Sequence, residues 1–319
     1  MLTTEKSIFH HIISLRNRIF AIKSKYLKES LVITVESPEI NPAIELFGSA
    51  APARRKELKH ILMIGNSFCY SFVTELYALA AEAGFDPVIT NLYKAGCTVK
   101  EHWTWLTDPV EGADRYSYWI TDRNGRRCVE EIKTIGEAID YAQWDVITLQ
   151  QHFGAKATAS LEAGLEHTAP YAKNLFDHLR AKHPGADMLW HQTWAYAVGH
   201  RYCPDEESAV RVHNVVRHTA AQMCRENNAA IIPVGQAWLN ARLDSRVGDA
   251  LVKDDRAHDS AENGGCYLNA CVWFETLFGK SCVGSLWRPD YSLREEMIPA
   301  LQEAAHAAVA AVYGEDYTV

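Results

Sequence analysis

Three residues of the types that cooperate in nucleophilic catalysis stand out in the sequence: Ser67, Asp255 and His258. A serine hydroxyl is a poor nucleophile at neutral pH and needs an adjacent base. His258 is the candidate base, and Asp255 is the candidate carboxylate that fixes the tautomer and orientation of the imidazole. Each motif is weak on its own, because Ser67 also fits the N-cap of a following helix. Together the three residues indicate acyl transfer, with Ser67 attacking a carbonyl carbon.

Acyl transfer also requires hydrogen-bond donors for the oxygen that becomes negative in the tetrahedral intermediate. The candidate donors are the backbone N–H groups of Ser67 and Gly96 and the side-chain amide of Gln150. Gly96 suits this role because a residue without a Cβ allows close approach to the backbone. The neighbouring Gln151 is the alternative to Gln150.

A further group of residues follows predicted strands and is expected to line a pocket: Asn66, Gln151, His191, Trp103 and Trp194. The tryptophan rings can stack on a sugar ring or an acyl chain. Packing in the core remains the alternative for His191 and for both tryptophans.

The elements that must position these residues alternate between short apolar strands and amphipathic helices. Strands are predicted over 60–64, 87–92, 145–149, 187–191 and 229–234, and helices over 68–83, 161–182, 205–227, 264–279 and 291–312. This pattern predicts a parallel sheet covered by helices on both faces. The candidate site residues follow the strands, and ligands of such sheets bind beyond the carboxyl ends of the strands. An insertion over 116–132 contains Asn124-Gly125, which indicates a hairpin with a type I′ turn.

The composition describes a globular protein with an uneven charge distribution. Residues 1–59 contain ten Lys and Arg against six Asp and Glu, whereas the remainder contains 22 against 34. The acidic body argues against nucleic-acid binding, which needs a basic face. No apolar run is long enough to span a membrane.

Residues 1–58 are predicted to be a basic extension and linker, and residues 59–319 a single domain. A basic amphipathic helix is predicted over 7–28 and a linker over 36–56. The helix fits a solvated extension, a membrane-surface helix or a targeting segment. A clear signal peptide is absent, so a cytoplasmic location is favoured.

Metal and cofactor chemistry is not expected. The sequence contains no His-Glu-x-x-His, no Cys-x-x-Cys and no Gly-x-Gly-x-x-Gly motif. The eight cysteines are expected to be buried free thiols. Cys69 and Cys97 flank the candidate site, but Ser67 is the better candidate for the nucleophile because a cysteine nucleophile would need its own paired base.

The sequence resembles the SGNH/GDSL hydrolases, and more closely the DUF4886 subgroup. The resemblance covers about residues 59–280 and is carried by the segments ILMIGNSF at 61–68, GCTVKEHW at 96–103, WDVITLQQ at 144–151, WHQTWAY at 190–196, DRAH at 255–258 and YLNA at 267–270. Two departures stand out: Asn66 replaces the usual Asp of the first block, and Gln150-Gln151-His152 replaces the block that supplies an Asn. The resemblance implies a flavodoxin-like three-layer α/β/α fold with a central, mostly parallel five-stranded sheet. It also implies a serine esterase without a metal.

The expected function is hydrolysis of an ester through an acyl-enzyme on Ser67. A small acyl group, such as acetyl, on a small molecule or a carbohydrate is the leading substrate. A non-catalytic carbohydrate-binding protein and a lipid-acyl hydrolase remain as alternatives.

Overall fold

The computed structural model describes residues 52, 58–112, 114–291 and 293–318. The predicted helix over 7–28 lies outside these residues, as does the linker over 36–56 apart from Pro52.

A single mixed sheet of seven strands forms the centre of the described part of the chain. Its strands are β1 (His60–Gly65), β2 (Val88–Tyr93), β3 (Ser117–Asp122), β4 (Gly125–Cys128), β5 (Val146–Leu149), β6 (Asp187–His191) and β7 (Ala230–Ile232), in the spatial order β4-β3-β2-β1-β5-β6-β7. Strands β2, β1, β5, β6 and β7 are parallel and correspond to the five predicted strands. The sheet has two strands more than predicted, because the β3–β4 hairpin extends it antiparallel to β2.

The hairpin turn differs from the predicted type I′ turn. A type I′ turn needs positive φ at both central residues. Because Asp122 pairs with Gly125, the central residues are Arg123 and Asn124 rather than Asn124 and Gly125, and neither has a positive φ. Asn124 instead donates its backbone N–H to the Asp122 carboxylate at 2.8 Å.

The order of the five parallel strands places the candidate site at a break in the winding direction. The order β2-β1-β5-β6-β7 corresponds to the 2-1-3-4-5 order of flavodoxin-like folds, in which ligands bind at the switch point between the first and third strands. Here that point lies between the carboxyl ends of β1 and β5. Ser67 follows β1, and Gln150 follows β5.

Helices cover both faces of the sheet. Within the described residues they are α1 (Val73–Glu82), α2 (Val99–Thr107), α3 (Ile135–Asp140), α4 (Leu161–Glu166), α5 (Ala169–Lys182), α6 (Glu206–Asn227), α7 (Val234–Leu243), α8 (Gly265–Phe278) and α9 (Met297–Tyr313). Successive strand residues point to opposite faces, so Ile61 and Met63 pack mainly with α1, α7, α8 and α9. Leu62 and Ile64 pack on the other face, mainly with α2, α3 and α5. The result is the expected three-layer α/β/α sandwich.

Three helices were not predicted, and one predicted helix is divided. Helices α2 and α3 both begin with a capping box, Thr98 with Glu101 and Thr134 with Glu137, which is a recognisable start signal. The helical pattern over 161–182 separates into α4 and α5. Pro170 lies in the first turn of α5, where its missing N–H and fixed φ are tolerated.

None of the helices in the described residues is long and apolar enough to cross a membrane.

Candidate active site

The turn that carries Ser67 is built by its neighbour Asn66. β1 ends at Gly65, and a short 3-10 turn over Ser67–Cys69 follows. The buried Asn66 side chain accepts a hydrogen bond from the Phe68 N–H at 3.0 Å and donates one to the Cys97 carbonyl at 2.8 Å. Asn66 therefore caps the turn and ties it to the loop after β2.

The loop that carries Asp255 and His258 is a tight turn held by its own backbone. The Lys253 N–H donates to the His258 carbonyl at 2.8 Å. Asp255 Oδ1 accepts the backbone N–H groups of Ala257 at 2.9 Å and His258 at 3.0 Å. Arg256 at the apex has φ +59°. This geometry turns the His258 ring back onto the Asp255 carboxylate.

A continuous chain of hydrogen bonds joins the three predicted residues. His258 Nδ1 lies 2.5 Å from Asp255 Oδ2, and His258 Nε2 lies 2.8 Å from Ser67 Oγ, across 191 residues of sequence. With a proton on Nδ1, the imidazole donates to Asp255, and Nε2 is free to accept the hydroxyl proton of Ser67. The arrangement is competent to remove a proton from Ser67.

The electrostatics of Asp255 favour its charged form. Partial burial by itself raises the pKa of this carboxyl, but the hydrogen bonds from Ala257 and His258 outweigh burial and leave the pKa below its ordinary value. Asp255 is therefore an anion at neutral pH and holds the proton of Nδ1 in place.

Two backbone donors beside Ser67 have no hydrogen-bond partner among the described residues: the N–H groups of Ser67 and Gly96. The Lys94 N–H donates to the Gly65 carbonyl at 3.1 Å, and Asn66 donates to the Cys97 carbonyl, so the loop around Gly96 is fastened beside the serine turn. Gly96 has φ +64°, and no heavy atom lies within 4 Å of the position that a Cβ would take. Both donors remain available to a ligand oxygen.

The side-chain amides of Gln150 and Gln151 both form hydrogen bonds within the protein. The Gln150 amide nitrogen donates to Asn66 Oδ1 at 2.5 Å, which uses one of its two N–H bonds. The Gln151 amide donates to Thr168 Oγ1 at 2.9 Å and to the His167 carbonyl at 3.0 Å. Both N–H bonds of Gln151 are thus used within the protein.

A cavity of about 600 Å³ lies next to the loop after β5, and its lining does not include Ser67, Gly96 or His258. Its lining includes Thr98, Lys100, Glu101, Gln151, His152, Lys156 and Tyr171. The Phe68 ring lies 6.4 Å from the ring of His152, which lines the cavity, and 5.5 Å from the ring of His258. Burial lowers the pKa of His152, which favours the neutral form of its ring.

Of the five residues predicted to line a pocket, Gln151 lines this cavity. Asn66, His191 and Trp194 are buried, and the half-buried Trp103 packs against the core. Burial lowers the pKa of His191 to about 3, so its ring is neutral. Trp194 stacks on Trp238 at 4.3 Å and donates its indole N–H to the Ala257 carbonyl at 2.9 Å. Trp194 therefore supports the His258 loop from beneath.

The cysteines beside the site are poor candidates for the nucleophile. Cys69 is buried, and burial raises the pKa of its thiol to about 12. Burial likewise raises the pKa of Cys97. Since the thiolate is the reactive form, neither sulfur competes with Ser67 at neutral pH.

Sequence reasoning missed the residues that support the His258 loop. Asp259, directly after His258, is buried and contacts Ser71 and Asn269. Its only sequence signal is its position beside His258, since a carboxyl in a loop normally indicates solvent exposure.

The close approach of α8 to the His258 loop makes Gly265 sensitive to substitution. A Cβ at this position would lie 2.4 Å from the Leu251 carbonyl oxygen and 3.0 Å from the Ser260 nitrogen. We expect Gly265→Ala to lower the free energy of unfolding by about 1–3 kcal/mol, measured by denaturant titration. Gly185→Ala is the control, because no heavy atom lies within 4 Å of its Cβ position. Equal stabilities for the two variants would contradict the packing described here.

Comparison with known proteins gives a family but no tested activity. No curated protein matches the sequence. The fold is similar to a crystal structure of a DUF4886 family protein from Bacteroides uniformis, with 25% identity, a TM-score of 0.69, and coverage of 79% of this chain and 94% of that one.

Two enzyme structures are more distantly similar. A putative GDSL-like lipase from Parabacteroides merdae has 16% identity and a TM-score of 0.46, over 70% of this chain and 96% of that one. An acetylxylan esterase, Axe2, from Geobacillus stearothermophilus has 15% identity and a TM-score of 0.42, over 73% and 98%. The family model described as a domain of unknown function, DUF4886, matches residues 60–308. Because this match spans most of the chain, the protein belongs to the DUF4886 family.

Proposed function

We propose that the protein is a serine ester hydrolase that removes a small acyl group, such as acetyl, from a carbohydrate. The observation that carries the proposal is the hydrogen-bonded chain from Ser67 through His258 to Asp255, with distances of 2.8 and 2.5 Å. A protein that only binds carbohydrate has no need of this arrangement.

In the proposed reaction, Ser67 Oγ attacks the ester carbonyl while His258 Nε2 takes the hydroxyl proton. Collapse of the tetrahedral intermediate breaks the bond to the alcohol, which receives that proton from His258. A water molecule then attacks the acyl-enzyme, again giving a proton to His258, and Ser67 leaves with it. The products are the free acid and alcohol, and Asp255 holds the imidazolium formed in both halves.

The negative oxygen of both intermediates would be held by the N–H groups of Ser67 and Gly96. The second amide hydrogen of Gln150 is the third candidate donor, since the first is bonded to Asn66. Backbone donors of this kind are fixed before the reaction begins, so they stabilise the transition state without reorganisation.

The cavity supports a polar substrate. Its walls carry Lys100, Glu101 and Lys156 together with the aromatic ring of Tyr171. Charged and hydrogen-bonding side chains suit sugar hydroxyls, and an aromatic face suits the apolar side of a sugar ring. These groups support a carbohydrate ester as the substrate.

A panel of esters tests this proposal. We expect acetylated xylo-oligosaccharides to be hydrolysed with a higher kcat/KM than p-nitrophenyl palmitate, with Ser67→Ala as the background.

Lys156→Ala should raise KM for the sugar ester several-fold with little change in kcat. The control is Lys173→Ala, because Lys173 lies on the exposed side of α5, paired with Asp177. Preference for palmitate would instead favour the lipid-acyl hydrolase.

A further inference from the structure

A second contact joins the serine turn to the histidine loop beneath the reactive pair. Ser71, four residues after Ser67, places its Oγ 2.6 Å from both carboxylate oxygens of Asp259, the residue directly after His258. The Asp259 side chain is buried, with 1% of its surface exposed. The two chain segments that carry the proposed nucleophile and base are thus linked twice, by the contact between Ser67 and His258 and by the contact between Ser71 and Asp259.

Asp259 is itself anchored to the helical layer behind it. Its Oδ2 accepts the Asn269 amide at 2.9 Å and lies 3.5 Å from the Cys266 sulfur, both on α8. The side-chain oxygen of Asn269, Oδ1, accepts a hydrogen bond from the indole N–H of Trp238 on α7 at 2.6 Å. This chain of contacts leaves the Asp259 carboxyl little freedom to move.

The buried environment of Asp259 is energetically unfavourable for a carboxyl group. A buried carboxyl costs free energy unless it is paired and hydrogen-bonded. The side-chain partners of the Asp259 carboxyl are Ser71, Cys266 and Asn269, so hydrogen bonds rather than a Lys or Arg partner offset the cost of its burial. Such a network specifies one arrangement of the groups it connects rather than adding much stability.

We propose that Ser71 and Asp259 are positioning residues that set the distance between Ser67 Oγ and His258 Nε2. This inference rests on the proposed function, because the distance matters only if His258 takes the proton of Ser67. A displacement of about 1 Å at a reacting centre can cost about 100-fold in rate. Loss of the contact should therefore slow the chemical step while leaving substrate binding unchanged.

The test compares Ser71→Ala, Ser71→Thr and Asp259→Asn with the wild-type protein. Two quantities are measured at a temperature where thermal melts show each variant folded: kcat and KM for p-nitrophenyl acetate, and the rate of phosphonylation of Ser67 by a small fluorophosphonate. Ser285→Ala is the control, because Ser285 also pairs its hydroxyl with a carboxylate, that of Glu82 at the far end of α1.

We expect Ser71→Ala to lower kcat and the phosphonylation rate together by about 10- to 100-fold, with KM within about twofold of wild type. Ser71→Thr, which keeps the hydroxyl, should be at least about tenfold faster than Ser71→Ala, and Ser285→Ala should match wild type. If Asp259→Asn does not fold, Ser71→Ala decides the outcome.

An unchanged rate in folded Ser71→Ala, or an effect on KM alone, would overturn the positioning role. That result differs from failure of the proposed function, which would leave Ser67 unlabelled in the wild-type protein.

Discussion

Ser67→Ala is expected to lower kcat for p-nitrophenyl acetate by about 10⁴-fold or more. The reason is that the variant has no oxygen to form the acyl-enzyme, whereas the remaining donors give only the residual acceleration typical of such sites. Steady-state hydrolysis measures the effect. Thermal unfolding should be nearly unchanged, because the Ser67 hydroxyl contacts the half-exposed His258 ring rather than the core.

Cys69→Ala is the matched variant for this experiment. Cys69 lies two residues from Ser67 in the same turn, but burial keeps its thiol protonated. We expect Cys69→Ala to keep most of the activity. Loss of activity in Cys69→Ala together with retention in Ser67→Ala would show that the nucleophile has been assigned to the wrong side chain.

Asp255→Asn has the second-largest expected effect, a fall in kcat of about 10²–10⁴-fold. The Asp255 carboxylate accepts a hydrogen bond from His258 Nδ1 at 2.5 Å. An amide at this position can present its own N–H to the ring, which favours the tautomer with the proton on Nε2. That tautomer cannot accept the proton of Ser67. The kcat of the purified variant, compared with wild type at neutral pH, measures the loss.

Asp254→Asn is the control for this substitution. Asp254 is exposed and directly precedes Asp255, so the same change of charge and shape is made one residue away. We expect its activity to stay within a few-fold of wild type. A comparable loss in both variants would mean that loop charge, rather than the hydrogen bond to His258, causes the effect.

The three residues of the proposed triad were predictable from local sequence patterns. The apolar segment His60–Gly65 is a buried strand, and Ser67 follows it directly. Asp255 and His258 are three residues apart, so one tight turn brings their side chains together. The contact between the two segments joins residues 191 positions apart and forms only in the folded structure.

The hydrogen-bond partners of the surrounding amides were not predictable to the same degree. Gln150 was expected to face a ligand oxygen, and its hydrogen bond to Asn66 was not predicted, because the partner of an amide depends on the neighbour nearest in space. Trp194 was expected either in the pocket or in the core. Its burial reflects the stack on Trp238, a residue of the unpredicted helix α7.

The burial of Asp259 is a second feature that could not be predicted from the sequence. Its carboxyl lies in a polar stretch that indicates an exposed loop, and its burial results from contacts with α8 and with Ser71. These partners are separated from Asp259 by ten and 188 residues. Local patterns do not report such a cluster, because it forms only when the layers pack.

The most direct test of the central claim is the identification, by peptide mass spectrometry, of the residue modified by a fluorophosphonate. The account predicts one stoichiometric adduct, on the peptide containing Ser67, that is absent in Ser67→Ala and forms far more slowly in His258→Ala. No adduct on the folded wild-type protein, or an adduct on another serine with Ser67 unmodified, would contradict it.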